Sequence, residues 1–210
     1  MYSVNQPPAM GMRESLDTLI QSVRSTARSK NGMSAVFIDR DGTLNVEKGY
    51  ILKAEDVDLL ATASAAIRLL NQREIPVIIV TNQSAFARGL IDFAGFEKVN
   101  NAIWHKLQAH QAHYDALYYC PHVSGCECRK PQPGMLLQAA VDLNLDLHRS
   151  YMIGDKLIDI QAGHHAGCRT ILVKTGWGVK TIQQIITGEI RPDHIAESVL
   201  DAVEWILSQA

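Results

Sequence analysis

Two aspartates spaced i, i+2 stand directly behind a short apolar run, in Phe37-Ile38-Asp39-Arg40-Asp41-Gly42-Thr43. Alternate residues of an extended chain share a side, so Asp39 and Asp41 point the same way at the carboxyl end of a strand. Ligands of open parallel sheets bind there. One such carboxylate can attack phosphorus as a nucleophile, while the other protonates the leaving oxygen and later deprotonates water. A hard divalent cation such as Mg²⁺ lets both coexist with an anionic substrate. An Asp-Gly pair alone is more often a surface turn; the apolar run ending in Asp-x-Asp-Gly-Thr carries the specificity.

Three further segments supply what that chemistry lacks, in chain order. Val77 to Val80 lead into Thr81-Asn82-Gln83-Ser84, whose hydroxyl and amide groups can hydrogen-bond a phosphate oxygen at a second strand end. Arg129-Lys130-Pro131 brings cations able to neutralise an aspartyl-phosphate, Arg by a bidentate grip and Lys as a point charge. Tyr151 to Ile153 lead into Gly154-Asp155-Lys156-Leu157-Ile158-Asp159. Asp155 can reach a metal from a strand end, and Asp159 lies one helical turn further on the same face. Each segment alone has an ordinary explanation, as a polar loop, a solvated basic pair or a helix cap; the ordered set does not.

A second cluster lies in Cys120-Pro121-His122-Val123-Ser124-Gly125-Cys126-Glu127-Cys128. Three thiols and an imidazole within nine residues form a ligand set suited to tetrahedral structural Zn²⁺. A disulfide, or buried thiols acting as small apolar groups, are the alternatives. The first thirty residues lack the apolar core of a signal peptide, which weighs against a disulfide. The polarity of Gly125, Glu127 and Arg129 weighs against core.

Over roughly residues 33 to 205 these motifs resemble the haloacid dehalogenase-like superfamily of phosphohydrolases. Within it, Asp39-Arg-Asp-Gly-Thr-Leu-Asn45, Thr81-Asn-Gln-Ser-Ala-Phe-Ala-Arg-Gly89, Cys128-Arg-Lys-Pro131 and Gly154-Asp-Lys156 are similar to the D-glycero-D-manno-heptose 1,7-bisphosphate 7-phosphatase family. Histidinol-phosphate phosphatases share much of the pattern and are the alternative enzyme. The resemblance implies Asp39 as nucleophile, Asp41 as general acid/base, and Thr81 and Lys130 as holders of the phosphoryl group. It implies Mg²⁺ on Asp39, the Asp41 main-chain carbonyl and Asp155, with Asp159 either a further ligand or an orienter of water or a neighbouring lysine. Zn²⁺ is implied on Cys120, His122, Cys126 and Cys128. Asn82, Gln83, Ser84, Arg88, Arg129 and Lys130 are the expected substrate contacts. The chain departs from the family in the Cys/His loop: only Val123-Ser124-Gly125 separate His122 from Cys126, fewer than the family usually has.

The elements that must position these residues follow from short apolar runs alternating with longer amphipathic ones. That alternation predicts an α/β fold, a Rossmann-like doubly wound parallel sheet with helices on both faces. Strands are expected at 35–39, 77–81, 116–119, 151–154, 170–174 and 194–196, and helices at 61–72, 93–112, 134–143, 157–166, 179–186 and 198–208, with Gly167 ending the fourth. About forty residues separate Asp41 from Thr81 and about fifty separate Thr81 from Lys130, which these elements fill without room for an inserted domain. A capless enzyme is expected. The flap around Asn45 to Tyr50 and the loop from Cys120 to Pro133 are left to choose the substrate.

The 210 residues, 47% hydrophobic with net charge −2, fit one phosphatase domain over 33–210 behind an extension over 1–32. Composition gives no sign of nucleic-acid binding, and no apolar segment is long enough to span a bilayer. The expectation is a cytoplasmic enzyme of a small-molecule sugar phosphate, binding neither nucleic acid nor membrane, monomeric or a weak homo-oligomer. In the extension, Pro7-Pro8 predict a disordered start, and Leu16, Leu19, Ile20 and Val23 follow helical spacing between Arg13 and Arg28. That helix reads as packed on the domain, with a membrane-surface or partner-binding role as alternative; Glu14 and Asp17 oppose a targeting segment. Two readings from other classes remain: a phosphotransferase, which usually needs a closing cap, and a zinc-stabilised binding module, which would be expected to have lost a motif residue. His164, His165 and Cys168 are read as packed or solvated, and Trp177 as a packing residue or a border of the sheet's carboxyl edge.

Overall fold

Six strands, β1 (Val36–Ile38), β2 (Val77–Asn82), β3 (Ala116–Cys120), β4 (Tyr151–Gly154), β5 (Arg169–Val173) and β6 (His194–Ala196), pair in parallel in the order β3-β2-β1-β4-β5-β6. Among the described residues five α-helices connect them, α1 (Ala63–Gln72), α2 (Phe93–Gln108), α3 (Gly134–Leu143), α4 (Leu157–Ala166) and α5 (Gly178–Ile185), and α6 (Val199–Ser208) follows β6. The computed structural model describes residues 32–185 and 190–209. The expected N-terminal helix and the Pro7-Pro8 start lie outside the described residues, as does Ile186, the expected last residue of α5.

The chain winds from β1 outward through β2 to β3, then returns to place β4 on the other side of β1. Strand order therefore reverses beside β1, the position where a doubly wound sheet opens a crevice at its carboxyl edge. Register puts Ile38 level with Ile79 of β2 and Ile153 of β4. The residues that follow each of these strands consequently emerge side by side.

Strict alternation along the buried strands divides the core in two. Val36, Ile38, Val77, Ile79 and Ile153 pack with α1, α2 and α6 on one face. Ala35, Phe37, Ile78, Val80 and Met152 pack with α3 and α4 on the other. Each such aliphatic or aromatic side chain taken from water contributes about 1.5–3 kcal/mol, which is why a run as short as β1 holds its register. The odd positions continue to Asp39 and Asp41, and the even one to Arg40.

Among the described residues the expected strands and helices are all present, most within a residue or two. The largest difference is at α2, which stops at Gln108 rather than Ala112. Gln111 adopts a left-handed φ of 57° and Ala112 N returns to Leu107 O at 3.1 Å, letting Ala112 be buried before β3 begins. No Gly or Pro marks that stop in the sequence. Gly167 ends α4 in the left-handed conformation, as its position implied.

Candidate active site

Asp39 leaves the end of β1 with its N–H donating to Ile153 O at 2.9 Å, which anchors it beside β4. Lys130 approaches from the loop behind β3. Its Nζ lies 2.6 Å from Asp39 Oδ1 and 2.7 Å from Asp159 Oδ1, and donates to Val80 O at 2.8 Å. Asn82 holds the lysine's own backbone: its Nδ2 donates to Lys130 O at 3.1 Å and its Oδ1 accepts from Lys130 N at 3.0 Å. Burial opposes the ammonium charge, but the carboxylates of Asp159 and Asp39 outweigh it and hold Lys130 above the ordinary lysine range.

Asp39, Asp155 and Asp159 are all buried, with one ligand atom of each within 4.8 Å of the others. Burial first, and then the charges of Asp39 and Asp159, push Asp155 up to about 8. Burial likewise pushes Asp39 up to about 6, against the pull of Lys130. Lys130, with Lys156 already shared with Glu47, is thus too little positive charge for three buried carboxylates. A divalent cation meets that demand.

The aim of Asp155 is set by glycine and by backbone. Trp177 N donates to its Oδ2 at 2.7 Å, and Thr181 Oγ1 donates to its carbonyl at 2.9 Å. Gly42 and Gly176 line the same oxygen at φ of +98° and +55°, and a Cβ on either would fall 2.2 Å from Oδ2. Only glycine permits both the backbone angle and the approach. With Oδ2 so occupied, Oδ1 is buried without a hydrogen-bond partner. An orphaned carboxylate oxygen among other carboxylates is what Mg²⁺ coordination fits. Asp159, in the first turn of α4, has Oδ2 accepting from Lys156 N at 3.0 Å and Oδ1 on Lys130, the geometry of a residue that orients a neighbouring lysine.

Asp41 stands apart from that trio. Gln83 Nε2 donates to Asp41 Oδ2 at 3.1 Å and to Thr81 Oγ1 at 2.8 Å, joining the first two motifs. Arg40 holds both oxygens of Asp41, with Nε 3.0 Å from Oδ1 and Nη2 2.7 Å from Oδ2. Arg129 donates Nη1 to His122 O at 3.0 Å and so belongs to the Cys/His loop. Ser84 is partly buried in the turn behind β2, where its carbonyl accepts from Arg88 N at 3.3 Å, and Arg88 is exposed.

The Cys/His loop closes in spite of its shortness. Cys120 Sγ lies 3.0 Å from Cys128 Sγ and 3.5 Å from Cys126 Sγ, and His122 Nδ1 lies 3.7 and 3.5 Å from Cys120 and Cys128. Gly125, at φ +71°, makes the tight return. The cysteines are free thiols, so the disulfide alternative does not hold. The hydrogen bond from Cys128 draws Cys120 down to about 5, and the same bond drives the Cys128 thiol far up. Tetrahedral Zn²⁺ with bonds to sulfur near 2.3 Å separates its sulfurs by about 3.8 Å, close to what these four donors offer.

A family model described as HAD-hydrolase-like matches residues 127–202. A protein of Thermosynechococcus vestitus named D-glycero-D-manno-heptose-1,7-bisphosphate 7-phosphatase is 41% identical over 189 residues, 82% of this chain and 94% of its own length. A Haemophilus ducreyi protein named D-glycero-beta-D-manno-heptose-1,7-bisphosphate 7-phosphatase is 36% identical over 83% of this chain and 99% of its own. The solved D,D-heptose 1,7-bisphosphate phosphatase from B. bronchiseptica, complexed with magnesium and phosphate, matches at TM-score 0.80 and 34% identity, covering 85% of this chain and all of that one. The chain belongs to this family of heptose-bisphosphate phosphatases. It is therefore a phosphoric monoester hydrolase of the haloacid dehalogenase-like type.

Around this phosphatase site stand residues whose part the motifs did not disclose. Lys156 Nζ pairs with Glu47 Oε2 at 2.6 Å, tying the flap to the loop behind β4. Thr175 Oγ1 donates to Gly42 O at 2.7 Å, bracing the Asp-Gly turn from the loop behind β5. Trp177 lies at the sheet's carboxyl edge through its main chain; the residue is 44% exposed, and its ring lies beneath Lys180. Only Arg40 had a usable signal: alternation aims the residue between two site aspartates into the protein, a place where a cation needs partners. His164 Nε2 and His165 Nδ1 meet the carbonyls of Arg191 and Pro131, and Cys168 is buried in the core, in line with their bland readings.

Proposed function

We propose that this phosphatase hydrolyses D-glycero-D-manno-heptose 1,7-bisphosphate to heptose 1-phosphate and phosphate, with Asp39 as nucleophile. The observation that carries the reading is Asp39 at the carboxyl end of β1, paired with Lys130 at 2.6 Å and flanked by the unpartnered Oδ1 of Asp155. The names of the relatives point to the substrate.

Asp39 attacks phosphorus in line and forms an aspartyl-phosphate as the bond to the sugar oxygen breaks. Asp41 gives the leaving oxygen its proton, then removes a proton from the water that hydrolyses the acyl-phosphate. Lys130 and the Thr81 hydroxyl hold the transferred oxygens throughout. Asp39, Asp155 and the Asp41 carbonyl hold Mg²⁺, which when bound offsets the repulsion between Asp39 and its anionic substrate. Lys130 meanwhile is kept in place by Asp159, and its backbone by Asn82.

Cys120, His122, Cys126 and Cys128 hold Zn²⁺ in a structural role. Arg129 and Arg88, with the flap and the zinc loop, contact the part of the substrate beyond the reacting phosphate. The intervals where a cap domain would sit hold α1 between Asp41 and Thr81, and α2 and β3 between Thr81 and Lys130, which supports a capless enzyme.

The test is phosphate release with Mg²⁺ from both anomers of the heptose bisphosphate, beside histidinol phosphate and a panel of sugar and nucleoside phosphates, with Asp39→Asn as control. The expected result is strong preference for the bisphosphate. Preference for histidinol phosphate would keep the mechanism and replace the substrate.

A further inference from the structure

Arg40 is only 1% exposed and is among the largest fully buried side chains. Taking a guanidinium out of water costs several kcal/mol, so it persists in such a place only with partners. Three of its nitrogens have them. Nε and Nη2 grip the two oxygens of Asp41, and Nη1 donates to Asn100 Oδ1 at 3.3 Å. Asn100 is itself 1% exposed, on the α2 face of the sheet, and its Nδ2 donates to Phe96 O at 2.8 Å. That bond fixes the amide with its oxygen toward the guanidinium. A buried polar pair thus runs from α2 to Asp41, the site carboxylate outside the trio of Asp39, Asp155 and Asp159.

The donors on Asp41 are unequal. Oδ2 receives Arg40 Nη2 and Gln83 Nε2, which fill its two lone pairs. Oδ1 receives Arg40 Nε alone and keeps one lone pair free. We propose that Arg40, secured by Asn100, is the positioning residue for proton transfer: it locks the plane of the Asp41 carboxylate so that Oδ1 carries the proton in both steps. This rests on the phosphatase reading above. In the first step the proton on Oδ1 passes to the bridging oxygen as its bond to phosphorus breaks, the electron pair going to that oxygen, while an Asp39 oxygen bonds phosphorus. In the second, Oδ1 takes a proton from water as the water oxygen bonds phosphorus and the pair of the Asp39–phosphorus bond returns to Asp39. One oxygen must occupy one place twice, and a fork-shaped bidentate donor fixes a carboxylate plane where a point charge does not.

An ion pair that merely tied the Asp-Gly turn to α2 would, when broken, slow every substrate alike. The deciding experiment compares kcat/KM of Arg40→Lys and Asn100→Leu on the preferred sugar phosphate and on 4-nitrophenyl phosphate, whose leaving group departs without a proton. Arg40→Lys should lose roughly 100-fold on the sugar ester but no more than about fivefold on the nitrophenyl ester, the difference being general-acid assistance. A burst of nitrophenolate near one per enzyme should precede its steady state, because the water step is slowed. Equal losses on both esters, or no loss on either, would overturn the proposal. If Arg40→Lys does not fold, Asn100→Leu carries the test, with about a tenfold loss confined to the sugar ester expected and equal or absent losses overturning it. A wild-type protein that turned over neither ester would sink the phosphatase reading instead.

Discussion

Lys130 Nζ meets Asp39 Oδ1 at 2.6 Å across 91 positions of sequence, a pair 1% and 7% exposed. Removing one member of such a buried pair strands the other's charge. Lys130→Met should lower kcat by at least about a thousandfold, the scale of losing an electrostatic donor to the transferred group. It should also destabilise the fold by about 3–5 kcal/mol as Asp39 and Asp159 are left facing each other. Urea unfolding beside steady-state kinetics measures both, and a variant of wild-type stability would show that the ion pair holds nothing together.

The raised values of Asp155, about 8, and Asp39, about 6, give the metal-free protein a definite pH dependence. Above 3.8 the unfolded aspartates have lost their protons while the folded ones still hold them. Stability from these groups is therefore present at low pH and is lost as pH rises, through about 6 for Asp39 and about 8 for Asp155. In chelator, thermal unfolding should show wild type losing stability relative to Asp155→Asn between pH 4 and 8. Mg²⁺ should stabilise wild type at pH 8 and hardly at pH 5. The opposite slope would mean the carboxylates are already compensated.

Gly176→Ala places a Cβ where Asp155 Oδ2 now sits, at a backbone angle of +55° that alanine also resists. The displaced carboxylate should weaken Mg²⁺ activation roughly 10- to 100-fold, the usual effect of disturbing what orients a ligand. A Mg²⁺ titration of activity reads this directly. An unchanged activation constant would remove Asp155 from the metal site.

Cys126→Ser and Cys128→Ser each take one donor from a four-donor set. Metal analysis should find zinc falling from one per chain to well below that, with a drop in thermal stability, since structural zinc contributes folding energy. Zinc still at one per chain in both variants would refute the assignment.

The chemistry of this protein was legible in its sequence because the carboxyl ends of parallel strands are where a short apolar run stops and the chain must turn. Asp39, Thr81 and Asp155 each lie within one residue or so of such a stop, so the runs of β1, β2 and β4 pointed to them. The Cys/His loop was legible too, its donors packed into nine residues. What stayed hidden was lateral. Nothing local says that Trp177 lends its N–H to Asp155, that Asn82 clasps the backbone of Lys130, or that Glu47 reaches Lys156, since these partners lie 22, 48 and 109 positions apart. The stop of α2 at Gln108 was equally silent, being set by the burial of Ala112 rather than by a Gly or Pro.

Sequence alone determined which residues could do chemistry and in which order the strands would offer them, because strand period and apolar patterning are properties of neighbours along the chain. Tertiary structure decided which of those residues face one another. It placed Asp39, Asp155 and Asp159 in one buried trio with Lys130, and it tied Asp41 to Arg40 and, through Arg40, to Asn100. Those choices depend on strand order and helix placement, and burial makes them matter: in a dry crevice each charge must find its partner across the sheet, whatever the distance in sequence.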